Sequence, residues 1–134
     1  MSRKTNSDLL ATGAALVDAD MYTADQTAGA GATITTSNVV KTGGADSVML
    51  KCKATGANGS SAGTVTFTVT GSFDGSTFET VGTPIALTLS TNTVVSVMAL
   101  IDTREFPYIQ VKSIVNGDAS YGLTAVNVHA FAMQ

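Results

Sequence analysis

The sequence predicts an all-β protein, an antiparallel β-sandwich or jelly roll of about seven or eight strands with an extended N-terminal arm. Three observations support this prediction. In the segment Gly63 to Val81, valine and phenylalanine alternate with threonine, which is the period of a strand with one buried face. Asp74-Gly75 follows that strand and supplies the positive-φ chemistry of a hairpin turn. Short alternating segments separated by turn residues then recur to the end of the chain.

The first part of the chain, residues 1–31, shows no sustained alternation and ends in the small residues of Ala28 to Gly31. We therefore predict an extended arm that is held on a neighbouring subunit. Removal of residues 1–21 is expected to leave the sandwich folded. The apolar residues expected to make the subunit contacts are Leu9, Leu10, Leu16, Val17, Met21 and Tyr22.

The body, residues 32–134, is predicted to be a single β-sandwich domain. Its predicted strands are Thr33–Val40, Ser47–Ala54, Thr64–Phe73, Thr77–Val81, Ile85–Leu89, Val94–Ile101, Tyr108–Val115 and Leu123–Met133. Pro84 limits strand pairing at the start of the fifth strand, and Asn116-Gly117-Asp118 is a strong turn before the last.

The alternation also predicts which side chains are buried. Phe67 and Val69 are expected in the core, with Thr66 and Thr68 on the opposite face. In the last strand the small apolar set Val126, Val128 and Ala130 is assigned to the core. His129 then faces outward or into a subunit contact, together with Asn127 and Phe131.

Composition excludes several classes of function. The net charge is −3 and the seven basic residues are scattered, which argues against binding of nucleic acid. No apolar run approaches the ~20 residues of a membrane span. Only 13% of the residues are charged, a low share that predicts surfaces covered by partners.

The residues that usually carry chemistry are too few for a site. The chain has one cysteine, Cys52, and one histidine, His129, which cannot supply a disulfide or a zinc site. Asp18-Ala19-Asp20 could begin a calcium loop, but Thr23 and Gly29 stand where that loop needs glycine and glutamate. We therefore predict no catalytic, cofactor-binding or metal-binding residue and no enzymatic activity, with structural roles for Cys52 and His129.

Three stretches carry a family resemblance: the hairpin GTVTFTVTGSFDGSTFETVGT, the strand REFPYIQVKSIVNG and the closing LTAVNVHAFA. Together they resemble the small capsid cement, or decoration, proteins of tailed bacteriophages, of the jelly-roll type found on the outside of the head. The resemblance implies a structural virion protein that binds the major capsid protein and stabilises the shell. It also implies a homodimer or homotrimer at capsid symmetry axes, located on the outer capsid surface after synthesis in the host cytoplasm.

Two other interpretations stay open. The Ser-Phe-Asp-Gly-Ser hairpin and the strand Tyr108-Ile109-Gln110-Val111 also resemble parts of discoidin-like carbohydrate-binding sandwiches. The chain departs from that pattern because it has no tryptophan, the usual sugar-stacking residue. The third interpretation is a structural component of a phage tail or head–tail connector.

Overall fold

The computed structural model describes residues 17–57, 63–90 and 92–133. Within these residues the regular structure is entirely β. The strands are β1 (Asp18–Asp20), β2 (Gln26–Ala28), β3 (Thr33–Ile34), β4 (Val40–Lys41), β5 (Ser47–Gly56), β6 (Thr64–Ser72), β7 (Phe78–Thr80), β8 (Ile85–Thr88), β9 (Val94–Asp102), β10 (Tyr108–Asn116) and β11 (Leu123–Met133). In this part of the chain no helix is long and apolar enough to cross a membrane.

The strands form two antiparallel sheets that pack face to face. Sheet A has the order β1-β11-β5-β9, with β2 also paired to β11. Sheet B has the order β3-β10-β6-β7, with β4 paired to β10 and β8 paired to β6. The predicted antiparallel β-sandwich is therefore confirmed.

The core lies between the sheets and follows the predicted alternation. Phe67 and Val69 of β6 are buried, while Thr66 and Thr68 are partly exposed on the outer face of sheet B. The largest fully buried side chains come from both sheets and the segment after β1: Phe67, Met21, Leu50, Ile109, Ile114 and Leu123.

The first predicted body strand is interrupted. Thr33–Ile34 and Val40–Lys41 pair separately with β10. Between them the Ser37 N–H still donates to the Val111 carbonyl at 2.9 Å, but residues 35–39 are not a regular strand. Ser37 explains the interruption, because its hydroxyl oxygen accepts a hydrogen bond from the Val111 N–H at 2.9 Å. A side-chain oxygen there takes the place of a strand carbonyl.

The last strand contains a bulge that alternation does not reveal. Ala125 has a φ of 51°, and the register of β11 against β5 shifts between Thr124 and Asn127. Val126, Val128 and Ala130 are buried as predicted, and His129 lies on the outer face. Asn127 lies on the same face as His129, as predicted, opposite Lys53 of β5. It is nevertheless buried, because the segment of Tyr22 and Asp25 covers its side chain and bonds to it.

The N-terminal part of the described chain differs from the expected arm. Residues 18–20 and 26–28 pair with β11 and belong to sheet A. Val17, Met21 and Tyr22 are buried in the core of their own chain, so in this fold they are not available to contact a neighbouring subunit. The segment is fixed by backbone pairing, since the Met21 N–H donates to the Val128 carbonyl at 2.8 Å. Leu9, Leu10 and Leu16 lie outside the described residues.

Candidate binding surfaces

The outer face of sheet A carries a group of apolar side chains on adjacent strands. The register places Phe131 of β11 beside Met49 of β5, and Met49 beside Leu100 of β9. Met98 lies on the same face of β9, one position along that face from Leu100. Met98 is 59% exposed and Leu100 is 58% exposed, whereas Met49 and Phe131 are half-buried. We call Met49, Met98, Leu100 and Phe131 the apolar face.

A histidine bridged by two aspartates borders the apolar face. His129 Nδ1 lies 2.8 Å from Oδ1 of Asp20, and His129 Nε2 lies 2.7 Å from Oδ1 of Asp18. A carboxylate oxygen only accepts, so both contacts are hydrogen bonds at once only when each ring nitrogen carries a proton, as in the imidazolium cation. The hydrogen bond to Asp20, followed by the one to Asp18, raises the pKa of His129 above its ordinary value.

This histidine cluster does not have the arrangement of a metal site. The two carboxylates contact opposite nitrogens of one ring, so the three groups do not converge on a common point. Among the described residues, no group of three or more His, Cys, Asp and Glu side chains is placed to hold a metal ion.

A polar cleft of about 290 Å³ lies beside the histidine and is lined by Asp20, Lys51, Lys53, Asn127 and His129. The buried Asn127 fixes the side chains beside this cleft, because its side-chain amide donates to Oδ1 of Asp25 at 3.0 Å. Lys53 Nζ lies 3.2 Å from the other oxygen of Asp25. Hydrogen bonds, the one from Asn127 first, lower the pKa of Asp25.

A second candidate surface lies at one end of the sandwich, where Phe106 separates two clefts. The larger cleft has a volume of about 540 Å³ and is lined by Thr80, Val81, Gly82, Asp102, Arg104, Glu105 and Phe106. The smaller, of about 130 Å³, is lined by Gly71, Phe73, Asp74, Thr77, Glu79 and Phe106. We call the two clefts together the Phe106 groove.

The position of Phe106 depends on a glycine in β6. A Cβ atom at Gly71 would lie 2.6 Å from Cγ of Phe106 and 2.8 Å from Cγ2 of Val81. Only a residue without a side chain allows the ring to lie this close to the strand backbone. The Phe106 groove is therefore built on Gly71.

The hairpin turn beside the groove presents an exposed aromatic ring. Phe73 is 80% exposed at the tip. Asp74 holds the turn, because its Oδ1 accepts hydrogen bonds from the N–H groups of Ser76 and Thr77 at 2.8 and 2.9 Å. These backbone bonds lower the pKa of Asp74. The predicted Asp-Gly turn is confirmed, with Gly75 at a φ of 83°.

Arg104 and Asp102 form an exposed ion pair on the wall of the larger cleft. Arg104 Nη2 lies 2.6 Å from Oδ2 of Asp102, and its Nε donates to both carboxylate oxygens. This fork-shaped contact is the main cause that lowers the pKa of Asp102 to about 2.

Cys52 and His129 lie on neighbouring strands but on opposite faces of sheet A. Cys52 is fully buried, and its burial raises the pKa of the thiol to about 12. His129 lies outside, so the two side chains do not form a thiol–imidazole pair.

The sequence did not identify the two-aspartate contact to His129. The available signal was the Asp-x-Asp spacing, which places both carboxylates on one face of a strand. The pairing of that strand with β11 was not predictable from the spacing.

The sequence matches no model of a known protein family and no curated protein. Solved structures do match in fold. TmCBM61 in complex with β-1,4-galactotriose is 10% identical with a TM-score of 0.51, covering 81% of this chain and 70% of that one. The N-terminal cellulose-binding domain of Cellulomonas fimi β-1,4-glucanase C is 15% identical with a TM-score of 0.51, covering 84% and 80% respectively. The chain thus shares its β-sandwich fold with carbohydrate-binding modules.

Proposed function

We propose that this chain is a structural virion protein, a cement or decoration protein that binds the outside of a phage head and stabilises the shell. The observation that carries the proposal is the apolar face of sheet A. Large side chains such as Met98 and Leu100 stand exposed side by side on a regular sheet, and exposed apolar patches of this kind are typical of protein-binding surfaces.

The mechanism is attachment followed by mass action. A protein that binds only the assembled shell stabilises that shell, and many identical sites add their contributions. The partners are the major capsid protein and further copies of the chain, on the outer surface of a capsid. Leu9, Leu10 and Leu16 remain proposed contact residues, while the burial of Val17, Met21 and Tyr22 gives these three residues a role in the core instead.

Co-sedimentation with purified phage heads tests this function. The wild-type protein is expected to pellet with heads and to stay in solution with isolated tails. Met49→Thr removes an apolar side chain from the apolar face and is expected to lower the affinity about tenfold, which corresponds to about 1.4 kcal/mol. Val115→Thr, on the outer face of sheet B, is the matched control and should keep wild-type affinity.

The results of that experiment separate the interpretations. Absence of wild-type protein from the head pellet would overturn the capsid proposal. Binding to tails instead of heads would identify a tail or connector component.

A carbohydrate-binding module is the second candidate function, and the fold likeness supports it more directly than it supports the first. Its specific observation is the Phe106 groove, where the exposed ring of Phe73 lines the smaller cleft with two carboxylates and the Arg104 guanidinium lines the larger cleft. Aromatic rings stack on the apolar faces of sugars, and charged side chains hydrogen-bond their hydroxyls. We rank this function second because the chain contains no tryptophan and the outer face of sheet A presents a single, half-buried aromatic side chain, Phe131.

Calorimetric titration with β-1,4-galactotriose and a cellulose pull-down test the second function. Binding that is lost in Phe73→Ala and retained in Val115→Ala would establish the groove as a sugar site. Heat of binding that is unchanged by Phe73→Ala would exclude the smaller cleft of this groove as the site.

A further inference from the structure

The edge strand β9 differs from every other edge strand in the described residues. Its nine residues, Val94–Asp102, pair on one side with β5 in an unbroken register, and none of the strands β1 to β11 pairs with the other side. The other edge strands are two to four residues long: β1, β2, β3, β4, β7 and β8. A long free edge presents a row of unpaired backbone N–H and C=O groups.

The strand also lacks the features that normally protect an edge. Its sequence, VVSVMALID, contains no lysine and no proline, and its register with β5 contains no bulge. The opposite edge of sheet A does carry protection, because β1 is short and presents Asp18 and Asp20. The contrast lies within one sheet, so the general composition of the chain does not explain it.

Both faces of β9 are incompletely covered. On the outer face, Val94, Met98 and Leu100 are more than half exposed. On the inner face, Val95 and Val97 pack against the core but stay half-buried. A strand placed alongside β9 would cover apolar surface on both faces at once.

The distribution of charge on β9 favours a second copy of the same strand in antiparallel orientation. The strand has one charged residue, Asp102, at its end, and Arg104 neutralises it. A parallel pair would place the two Asp102 carboxylates side by side. An antiparallel pair places each Asp102 against the uncharged start of the partner strand and separates the two carboxylates by about 27 Å, eight rises of about 3.4 Å.

Antiparallel pairing of two copies of β9 also keeps the outer faces of both A sheets on the same side of the joined sheet. Directly opposite residues in an antiparallel pair lie on the same face. A register centred on Met98 therefore places Val94, Ser96 and Met98 against Asp102, Leu100 and Met98 of the other copy. The two apolar faces then join into one continuous surface around a two-fold axis, and the interface is isologous.

We propose that two copies of this chain associate edge to edge through β9, which joins two A sheets into one continuous antiparallel sheet. The strand that pairs with the free edge is Val94–Asp102 of a second copy. This association concerns the edge of the sheet, and it does not depend on attachment to a capsid or on binding of sugar.

Sedimentation equilibrium tests the proposal with charge variants at the two-fold axis. The wild-type protein at about 100 µM is expected to be a dimer. Met98→Lys and Met98→Glu each place like charges opposite one another, and each should raise the dimer dissociation constant at least tenfold. An equimolar mixture of the two variants should recover a dimer, because the charges then become complementary.

Val115→Lys is the control, since it adds the same charge to an exposed apolar position on sheet B. It should leave the dimer intact, and circular dichroism confirms that each variant stays folded. A monomeric wild-type protein, or a dimer that persists in Met98→Lys, would overturn the proposal. Co-sedimentation with heads is scored separately, so heads that bind a monomeric wild-type protein would contradict this inference and leave the capsid proposal standing.

Discussion

His129 and Asp20 are directly opposite one another on the paired strands β11 and β1, and the histidine Nδ1 lies 2.8 Å from the aspartate Oδ1. Asp18, two residues earlier on the same face, contacts the other ring nitrogen. The three side chains hold the short edge strand β1 to the last strand of the sandwich. The stability of this contact depends on the proton that makes the ring a double donor.

We predict that the attachment of β1 weakens as pH rises. The pKa of His129 in the folded state lies above the ordinary 6.5, so its contribution to stability is fully present below that value. The contribution is lost as pH rises through the folded pKa, since the neutral ring can donate to only one carboxylate. The charged residue directly opposite His129 on β5 is Lys51.

An NMR titration of the His129 ring measures this pKa, and denaturant unfolding across the same pH range measures the stability. His129→Gln should remove the pH dependence in the neutral range. A folded pKa at or below 6.5, or an equal slope in the glutamine variant, would contradict the prediction.

Phe67→Ala is expected to cost about 3–5 kcal/mol of unfolding free energy, because it removes the largest fully buried side chain and leaves a cavity. Thr66→Ala, the neighbouring residue on the outer face, should cost less than about 1 kcal/mol. Urea unfolding monitored by circular dichroism gives both values. A large cost at Thr66 would mean that the outer face of sheet B is itself packed.

Gly71→Ala is expected to destabilise the protein by about 1–3 kcal/mol, because the added methyl group would overlap the Phe106 ring. Gly29→Ala is the matched control, since a Cβ there meets no atom within 4 Å. It should be neutral or slightly stabilising. Equal effects of the two substitutions would show that Phe106 moves aside at little cost.

Truncation tests whether the residues from Val17 to Met21 are needed for a stable core. Deletion of residues 1–16 leaves every described contact in place and should retain the cooperative unfolding transition. Deletion of residues 1–21 removes β1 and the fully buried Met21, so it should lower stability by several kcal/mol, as core truncations of about 2–5 kcal/mol do. The sequence predicted instead that the sandwich stays folded without residues 1–21. Equal unfolding midpoints for the two deletions would support that prediction.

The sequence predicted the long strands because each has a buried face and therefore alternates. Phe67 and Val69 are an example, since period two alone places both in the core. The three-residue strands β1 and β2 were not predictable, because segments this short do not show a period. Their positions are set by pairing with β11, about a hundred residues later in the chain.

The candidate surfaces were less predictable than the fold. The bulge at Ala125 shifts the register of β11 against β5, and no local signal in the strand indicates it. The apolar face needs the register of β11, β5 and β9, which joins Phe131 to Met49 and Leu100. Registers between distant strands depend on tertiary packing and are not encoded in the strands individually.

The strand order of sheet A has a consequence for synthesis on the ribosome. The last strand, β11, lies between β1 and β5, two strands that are made much earlier. Until residues 123–133 have left the exit tunnel, β1 has no neighbour, and β5 can pair only with β9. Because its central strand arrives last, sheet A closes after translation of the sandwich is nearly finished, and nascent chains are exposed to aggregation for most of that time.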